Sequence, residues 1–359
     1  MRRVFWLLAL AFLLAACQPL TPLPPVLPTI ALTPPALPKT AAPLLATASS
    51  TTNASCLPCW RAAATRNARI PATQTMQAMQ TQAASTPLAP LVSSACPQGQ
   101  PVCRQDGHFF LKRPIPAPGN FSVERTYRYG TDQSGLREPH HGVEFPNAQG
   151  TPVLAAADGT VIFAGDDKNV SLSWVPAFYG KVVVIRHQFS GIAQPVFTLY
   201  AHLYQIEVET GQQVRVGQQI GQVGATGTAI GSHLHFEVRQ GNNDYRSNRN
   251  PELWLQPVAG TGVLAGRLED GRGQPAKGRV NLQRIEHGQL NPVSLTVLET
   301  YVTNELQPVK ADDDWHENFA VGELPQGEYR LSLVYNSSIL EQTVFIEPGR
   351  LTFVLFTLK

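Results

Sequence analysis

The chain has 359 residues, of which 43% are hydrophobic and 15% charged, with 30 prolines and a formal net charge of +2. This length allows two domains of ordinary size plus tails, and the hydrophobic content suits a soluble globular protein. The 28 Lys and Arg residues nearly balance the 26 Asp and Glu residues. Without a sustained basic face, the composition argues against a nucleic-acid partner.

The first 17 residues, MRRVFWLLALAFLLAAC, have the layout of a secretory signal peptide. Arg2 and Arg3 precede an apolar run from Val4 to Ala16, which is too short for a comfortable membrane span. The ending LAAC, which includes Cys17, resembles the lipobox of bacterial lipoproteins. The resemblance implies cleavage before this cysteine and diacylglycerol on its sulfur. We therefore expect an exported protein of the cell envelope, anchored by lipid to the membrane.

Residues 18–50 are predicted to be a proline-rich tether. Nine prolines and a single charge, Lys39, fall between Gln18 and Leu45. Such a composition cannot bury enough apolar surface to fold, so an extended spacer is expected.

A cysteine-containing segment is predicted over residues 51–106. Its cysteines are Cys56, Cys59, Cys96 and Cys103. An even number of cysteines in an exported chain predicts two disulfides, in one of three pairings. A structural zinc site is the alternative, but an oxidising compartment favours disulfides and the last spacing is loose for zinc ligands. The residues between them predict two short helices, Trp60–Arg69 and Ala72–Ala84, separated by a proline.

A β domain is predicted over residues 107–257, because short apolar runs alternate with glycines there. TPVLAAADGTVIFAG has two apolar runs around Asp158-Gly159, a hairpin signal. GQQVRVGQQIGQVGATG alternates valines and isoleucines with polar residues. Strands this short and this evenly spaced predict an antiparallel fold that resembles a barrel or sandwich.

Six of the nine histidines fall between residues 140 and 235 of this domain: His140, His141, His187, His202, His233 and His235. In GSHLHFEVR, residues 231–239, alternate apolar side chains form one face of a strand. The opposite face carries His233, His235 and Glu237. Two imidazoles on one face can serve one metal, or one can bind it while the other acts on substrate. A half-exposed strand with outward polar residues is the alternative.

The stretch EPHHGVEF, residues 138–145, places His140 four positions before Glu144. Its proline and glycine make a helix improbable, and an extended strand would separate the two residues by roughly 13 Å. The contacting atoms of zinc ligands lie only about 3–4 Å apart. The chain must therefore bend, and Gly142 is where a bend is easy. Joined with the histidines of GSHLHFEVR, these residues have the composition of an open catalytic zinc site.

Five segments occur in order: HHGVEF, GTPVLAAADGTVIFAG, YAHL, GQQVRVGQQIGQVGATG and GSHLHFEVR. Together they resemble the LytM/lysostaphin family of zinc peptidoglycan endopeptidases, with its duplicated hybrid motif fold, over roughly residues 125–254. The family pattern is H-x-x-x-D, a later YxHL, and HxH near the end of the domain. The resemblance implies three zinc ligands and two histidines that act on the substrate and the attacking water. The ligands would be His140, Glu144 and His235, and the two catalytic residues would be His202 and His233.

Glu144 departs from the family pattern, which has an aspartate at this position. Glutamate is a competent zinc ligand, but its extra methylene shifts the carboxylate by about 1.5 Å unless the backbone adjusts. Because all four site histidines are present, the favoured interpretation is a working zinc metalloendopeptidase that cleaves peptide cross-links of peptidoglycan. The alternative is a catalytically silent LytM-like module that binds peptidoglycan or activates a wall amidase.

Two further features of this domain have structural or substrate-binding interpretations. Residues 166–180 predict a long loop whose Trp174, Phe178 and Tyr179 either wall a substrate groove or anchor the loop itself. His187 is expected to be structural. A biotinyl- or lipoyl-type carrier, which GQQVRVGQQIG also resembles, is excluded because no methionine neighbours a lysine.

A second β domain is predicted over residues 262–359. LPQGEYRLSL, residues 324–333, resembles the prealbumin-like, carboxypeptidase-regulatory type of β-sandwich. This resemblance implies a spacer or binding module without chemistry of its own, and His287 and His316 are expected to be solvated. The predicted partners of the whole chain are peptidoglycan and a membrane, with zinc as cofactor.

Overall fold

The computed structural model describes Cys96, residues 100–303 and residues 308–359. The predictions of a signal peptide, a proline-rich tether and two short helices lie outside these residues, as do Cys17, Cys56 and Cys59. No helix within the described ranges is long and apolar enough to cross a membrane. Helical structure there consists of short 3-10 turns: Asp167–Asn169, Tyr245–Ser247, Pro251–Leu253 and Pro292–Ser294.

The prediction of a mainly β protein is confirmed. In chain order the strands are β1 (Val102–Gln105), β2 (Val143–Pro146), β3 (Pro152–Leu154), β4 (Gly159–Asp166), β5 (Lys181–His187), β6 (Val196–Ala201), β7 (Gln205–Ile206), β8 (Gln213–Val214), β9 (Gln219–Gln222), β10 (His233–Gln240), β11 (Asn248–Arg249), β12 (Thr261–Glu269), β13 (Arg279–Glu286), β14 (Gln289–Leu290), β15 (Thr296–Glu299), β16 (Phe319–Pro325), β17 (Gly327–Tyr335), β18 (Ser338–Ile346) and β19 (Leu351–Thr357).

Strands β2 to β11 form the first domain, around a seven-stranded sheet. Its order is β11-β10-β6-β5-β4-β8, and β2 also pairs with β10. A three-stranded sheet, β3-β9-β7, packs against it. The pairs within both sheets are antiparallel, and the register places His235 opposite Glu144 on one side and opposite Ala201 on the other. Directly opposed residues lie close together in such a ladder, so three distant motifs meet at one place.

Strand β6, VFTLYA, is buried along its whole length because the large sheet is covered on both faces. Tyr200 packs in the main core with the three-stranded sheet, whereas Leu199 and Ala201 pack under the loop 166–180 through Leu172 and Tyr179. A strand covered on both sides has a continuous apolar run rather than an alternating one. The two covering layers therefore hold the end of this strand, where YAHL begins, in a fixed position.

The second domain is a sandwich of two sheets. One has the order β1-β19-β12-β16, with β12 and β19 parallel, and the other has the order β14-β13-β17-β18, with β15 beside β13. Between them lies an apolar core that includes Leu264, Phe319, Leu331, Ile346 and Phe356.

Strand β1 belongs to this sandwich, although residues 102–105 were predicted to be part of the cysteine-containing segment. Val102 lies opposite Val354 in an antiparallel ladder, and Cys103 forms a disulfide with Cys96. The chain thus forms one edge strand of the sandwich first, then the whole first domain, and finally the remaining strands of the sandwich. The partner strand lies about 250 residues away in sequence, and no local pattern indicates such a pairing.

Candidate metal centre

The predicted metal ligands converge where β2 meets β10. Nε2 of His140 lies 2.9 Å from Oε1 of Glu144 and 3.3 Å from Nδ1 of His235. The Glu144 oxygen lies 3.0 Å from the same Nδ1. The three atoms form a compact triangle, with separations of the size expected for ligands of one metal ion.

Gly142 allows this convergence. The backbone bends at His141 and Gly142 before β2 begins, as predicted from the glycine. A Cβ atom at Gly142 would lie 2.5 Å from the carbonyl oxygen of Phe236 and 2.9 Å from Cε1 of His235. No real Cβ atom makes such contacts, so a side chain here would displace β10 or the ligand ring. The glycine is required for close packing rather than for a positive φ.

Each of the four site histidines has one ring nitrogen held by an oxygen acceptor. The contacts are His140 Nδ1 to Tyr127 O at 2.8 Å, His202 Nδ1 to Thr226 O at 2.8 Å, His233 Nδ1 to Gly231 O at 3.0 Å and His235 Nε2 to Glu237 Oε1 at 3.1 Å. Carbonyl and carboxylate oxygens only accept, so the ring nitrogen facing them carries the proton. When the ring is neutral, its other nitrogen presents a lone pair.

The donor set fits a cation such as zinc. With their protons on the outer nitrogens, the lone pairs of His140 and His235 would face each other across 3.3 Å beside a carboxylate. Oε2 of Glu144 is buried and makes no hydrogen bond within the described ranges. Two imidazoles and a carboxylate are common zinc ligands, and a positive ion between them would satisfy all three.

The electrostatics of the site also demand positive charge. Burial alone lowers the pKa of His235, but Glu144 and Glu237 outweigh it and, without metal, raise that pKa to about 10. Burial would raise the pKa of Glu144, yet His235 and His140 hold it well below its usual range. A proton or a metal ion can supply the charge, so the two compete for the same position.

His202 and His233 lie beside the triangle, with ring centroids 4.9 Å apart. His202 has a φ of 60°, a left-handed conformation that is uncommon for a non-glycine residue and often found at functional sites. Burial lowers its pKa to about 3, so the ring is neutral. Nε2 of His233 lies 3.3 Å from Oε2 of Glu144. Both predicted catalytic histidines are therefore next to the predicted metal ligands.

An open groove of about 380 Å³ leads to these residues. It is lined by Glu124, Thr126, Tyr127, Gln133, Arg137, His140, Glu144, Pro146, Phe178, His202, Thr228, Ala229, Ile230, Gly231, Ser232, His233 and His235. Of the three aromatic residues predicted to wall a groove or anchor their loop, only Phe178 lines it. Trp174 is 61% exposed and lies outside this lining, and Tyr179 is fully buried and anchors the loop.

The remaining histidines have other surroundings. His187 is buried, with its ring nitrogens 2.8 Å from Asp158 O and 2.7 Å from Thr198 Oγ1, which is a structural role. Nδ1 of His141 forms a hydrogen bond with the Tyr245 hydroxyl at 2.7 Å. In the sandwich, His287 and His316 are exposed.

Glu237 is the residue of the candidate site that sequence reasoning left out. It bonds to the outer nitrogen of His235 and accepts hydrogen bonds from Arg239 Nε, at 2.8 Å, and from the Tyr179 hydroxyl. A signal was present, because Glu237 follows His235 by two positions on the same strand face. The roles of Tyr179 and Arg239 had no such signal.

Residues 138–248 match Peptidase family M23. The chain is 40% identical over 111 residues to cell division protein DipM of Caulobacter vibrioides, covering 31% of this chain and 16% of that protein. It is 43% identical over 100 residues to DD-carboxypeptidase/endopeptidase Mpg of Neisseria meningitidis serogroup B, covering 28% and 20%. It is 33% identical over 147 residues to peptidoglycan DD-endopeptidase ShyC of Vibrio cholerae, covering 40% and 30%.

The matched region spans less than a third of the length of each of these relatives. It contains all the residues of the candidate metal centre and both neighbouring histidines, and it confirms the resemblance noted in the sequence. The chain therefore carries a LytM-type domain of peptidase family M23.

Proposed function

We propose that this chain is a zinc-dependent endopeptidase that cleaves peptide cross-links of bacterial peptidoglycan. The observation that carries the proposal is the triangle of His140, Glu144 and His235 with two further imidazoles beside it in an open groove. Two similar proteins, Mpg and ShyC, bear names that specify endopeptidase activity, and ShyC acts on peptidoglycan by name.

His140, Glu144 and His235 would hold the metal through Nε2, a carboxylate oxygen and Nδ1. A zinc ion with three protein ligands supplies Lewis-acid polarisation of a carbonyl and lowers the pKa of water towards neutrality. Glu237 and the Tyr127 carbonyl keep the two ligand rings oriented by accepting their outer protons.

His202 and His233 would accept and donate the protons that the hydrolysis transfers. Their Nδ1 atoms are held by backbone carbonyls, so their Nε2 atoms are available to accept a proton from the attacking water. The same nitrogen can then return the proton to the leaving amine, since the reaction needs one proton removed and one delivered. A protonated ring can also stabilise the negative charge that develops on the carbonyl oxygen.

A silent module that binds peptidoglycan or activates a wall amidase is the second candidate, and Glu144 in place of the family aspartate favours it. The geometry argues for the enzyme instead. The β2–β10 register brings Glu144 opposite His235, and its carboxylate reaches both ligand histidines at 2.9 and 3.0 Å. The longer side chain therefore still reaches the metal position.

Peptide release from purified peptidoglycan tests the proposal. The full chain should be used, because β1 and the Cys96–Cys103 disulfide belong to the sandwich. We expect new amine termini with zinc, and none with His235→Ala or after chelation. If the folded, zinc-loaded chain releases nothing, the endopeptidase proposal is wrong for that substrate and the silent module is supported.

We also propose that the chain is exported and lipid-anchored in the cell envelope, on the strength of its first 17 residues. Fatty-acid labelling of the expressed chain should mark the wild type but not Cys17→Ala, which should also leave the membrane fraction. Unchanged labelling of that variant would contradict the proposal.

A further inference from the structure

We propose that Arg137 binds a carboxylate of the substrate peptide close to the cleaved bond, so that the groove selects acidic peptides. This inference rests on the endopeptidase function proposed above and adds a substrate class to it. Four features of the groove support it: charge, availability, orientation and anchoring.

Arg137 has a distinctive charge in the groove. Among the described residues that line it, Arg137 is the sole lysine or arginine. The other ionisable lining groups are histidines, Tyr127 and the two carboxylates Glu124 and Glu144. Arg137 therefore offers the fixed positive charge that an anionic substrate group can meet.

The Arg137 side chain is exposed and makes no ion pair within the described ranges. Two nearby carboxylates already have partners. Asp132 pairs with Lys277 at 3.1 Å, and Glu124 accepts from the backbone and hydroxyl of Thr126, both at 2.9 Å. The guanidinium is thus available for a ligand.

The guanidinium is also oriented. Its central carbon lies 5.0 Å from the centroid of the Tyr127 ring, a cation–π contact. The Tyr127 ring in turn stacks on His140, with centroids 4.1 Å apart and an interplanar angle of 14°. The Tyr127 hydroxyl donates to the carbonyl of Glu138 at 2.9 Å, which fixes the Tyr127 ring between the guanidinium and the His140 ring. The planar fork of arginine suits bidentate binding of a carboxylate.

This stack sets the distance to the reacting bond. The guanidinium lies 5.0 Å from the Tyr127 ring centroid, which lies 4.1 Å from the His140 ring centroid. Its distance from the His140 ring therefore cannot exceed these two distances added together. An extended peptide covers that distance in about two to three residues, at roughly 3.3 Å per residue. The carboxylate recognised by Arg137 would therefore belong to a residue within about three positions of the cleaved bond.

The sandwich domain holds the loop that carries Arg137, residues 125–138. Ser134 Oγ lies 3.0 Å from Glu299 Oε1, and the Thr131 hydroxyl also bonds to Glu299. The Tyr129 hydroxyl donates to the carbonyl of Lys310 at 2.8 Å. An anchored loop loses less conformational freedom when a ligand binds than a free one would.

The test compares two soluble cross-linked peptidoglycan peptides that differ only in one carboxylate next to the cross-link, free in one and amidated in the other. The zinc-loaded full chain should cleave the free acid with a kcat/KM at least about 10-fold higher, as expected for a charge-assisted pair. Arg137→Gln should abolish this preference by lowering cleavage of the free acid more than cleavage of the amidated peptide. Arg137→Lys should retain part of the preference, because it keeps the charge without the fork. Arg215→Gln, an exposed arginine outside the groove lining, is the control and should behave as wild type.

Binding of both peptides, measured by calorimetry, separates failure of this inference from failure of the proposed function. If the wild type cleaves neither peptide but binds the acid more tightly, and Arg137→Gln removes that difference, the inference holds without the enzyme function. The inference is wrong if the wild type shows no preference in cleavage or binding. It is also wrong if Arg137→Gln lowers cleavage of both peptides equally, or if neither peptide binds.

Discussion

Nε2 of His235 lies 3.1 Å from Oε1 of Glu237, whose side chain is fully buried on the same strand. Arg239 donates to the second carboxylate oxygen from 2.8 Å. Burial would raise the pKa of Glu237, but Arg239 and His235 hold it far below its usual range. An ionised carboxylate on the outer nitrogen directs Nδ1 of His235 towards Glu144 and makes it a better metal ligand.

Replacing this carboxylate by an amide should weaken metal binding without removing a ligand. We expect Glu237→Gln to lower zinc affinity by about 10- to 100-fold, measured by competition with a chromogenic chelator. Glu207→Gln, an exposed change outside the site, is the matched control. Equal affinity of Glu237→Gln and wild type would show that this contact does not tune the metal ligand.

Restoring the family aspartate tests whether Glu144 is adapted to this backbone. Because Glu144 already reaches both histidines, Glu144→Asp should withdraw the carboxylate by about 1.5 Å. A misplacement of this size is expected to lower kcat/KM by about 100-fold. The measurement is peptide release together with zinc content. A gain of activity would indicate that the glutamate is a defect of the site, and would favour the silent module.

Gly142→Ala should damage both stability and the metal centre, because the new Cβ would lie 2.5 Å from the Phe236 carbonyl. Overpacking of this kind costs about 1–3 kcal/mol in the free energy of unfolding. Denaturant unfolding and chelator competition would measure the two effects. Gly165→Ala is the control, since its Cβ would meet only ordinary contacts at 3.4 Å or more. Wild-type values for Gly142→Ala would exclude the proposed steric requirement.

His108 should make stability depend on alkaline pH. Its ring nitrogens lie 3.2 Å from Asp312 and 3.5 Å from Asp314, and the ring packs on Trp254. Burial lowers the pKa of His108, but the two carboxylates of the sandwich raise it to about 9. A raised folded pKa stabilises the protein below the unfolded value near 6.5, and this contribution is lost as the pH rises through 9.

The expected loss is about 3 kcal/mol in the free energy of unfolding, since each pKa unit corresponds to about 1.4 kcal/mol. Urea unfolding at pH 6.5 and pH 9.5 measures it. His108→Gln should reduce the difference between the two conditions by about this amount, and His235 and Glu317, whose pKa values are also raised, account for the rest. If that variant keeps the wild-type pH dependence, another group is responsible.

Glu299→Ala should change substrate binding from outside the groove. The substitution removes the acceptor of both Thr131 and Ser134, and the loop 125–138 should become less well ordered. We expect KM to rise roughly 3- to 10-fold, as for the loss of one hydrogen bond of ordinary net strength, with zinc affinity unchanged. An exposed change on β18, Glu341→Ala, is the control. Lower zinc affinity in Glu299→Ala would instead indicate a general disturbance of the domain.

Patterns that act over a few residues were predictable from the sequence. The two-residue period of GSHLHFEVR predicted that His233, His235 and Glu237 share one face of a strand. All three lie at alternate positions of strand β10. The glycine in EPHHGVEF predicted the bend that lets His140 and Glu144 meet. Both inferences depend only on local backbone geometry.

The tertiary structure alone decided which of these groups touch. The pairing of β1 with β19, the stack of Arg137 on Tyr127 and the bonds from Glu299 to the groove loop all depend on register and packing. Such contacts join residues whose separation is fixed by the whole sheet arrangement rather than by their neighbours in sequence. The sequence alone determined the residue types of the candidate metal site and the bend between two of its ligands, whereas its proton positions and groove wall arose from the packing of distant strands and loops of the first domain, with the sandwich holding the groove loop.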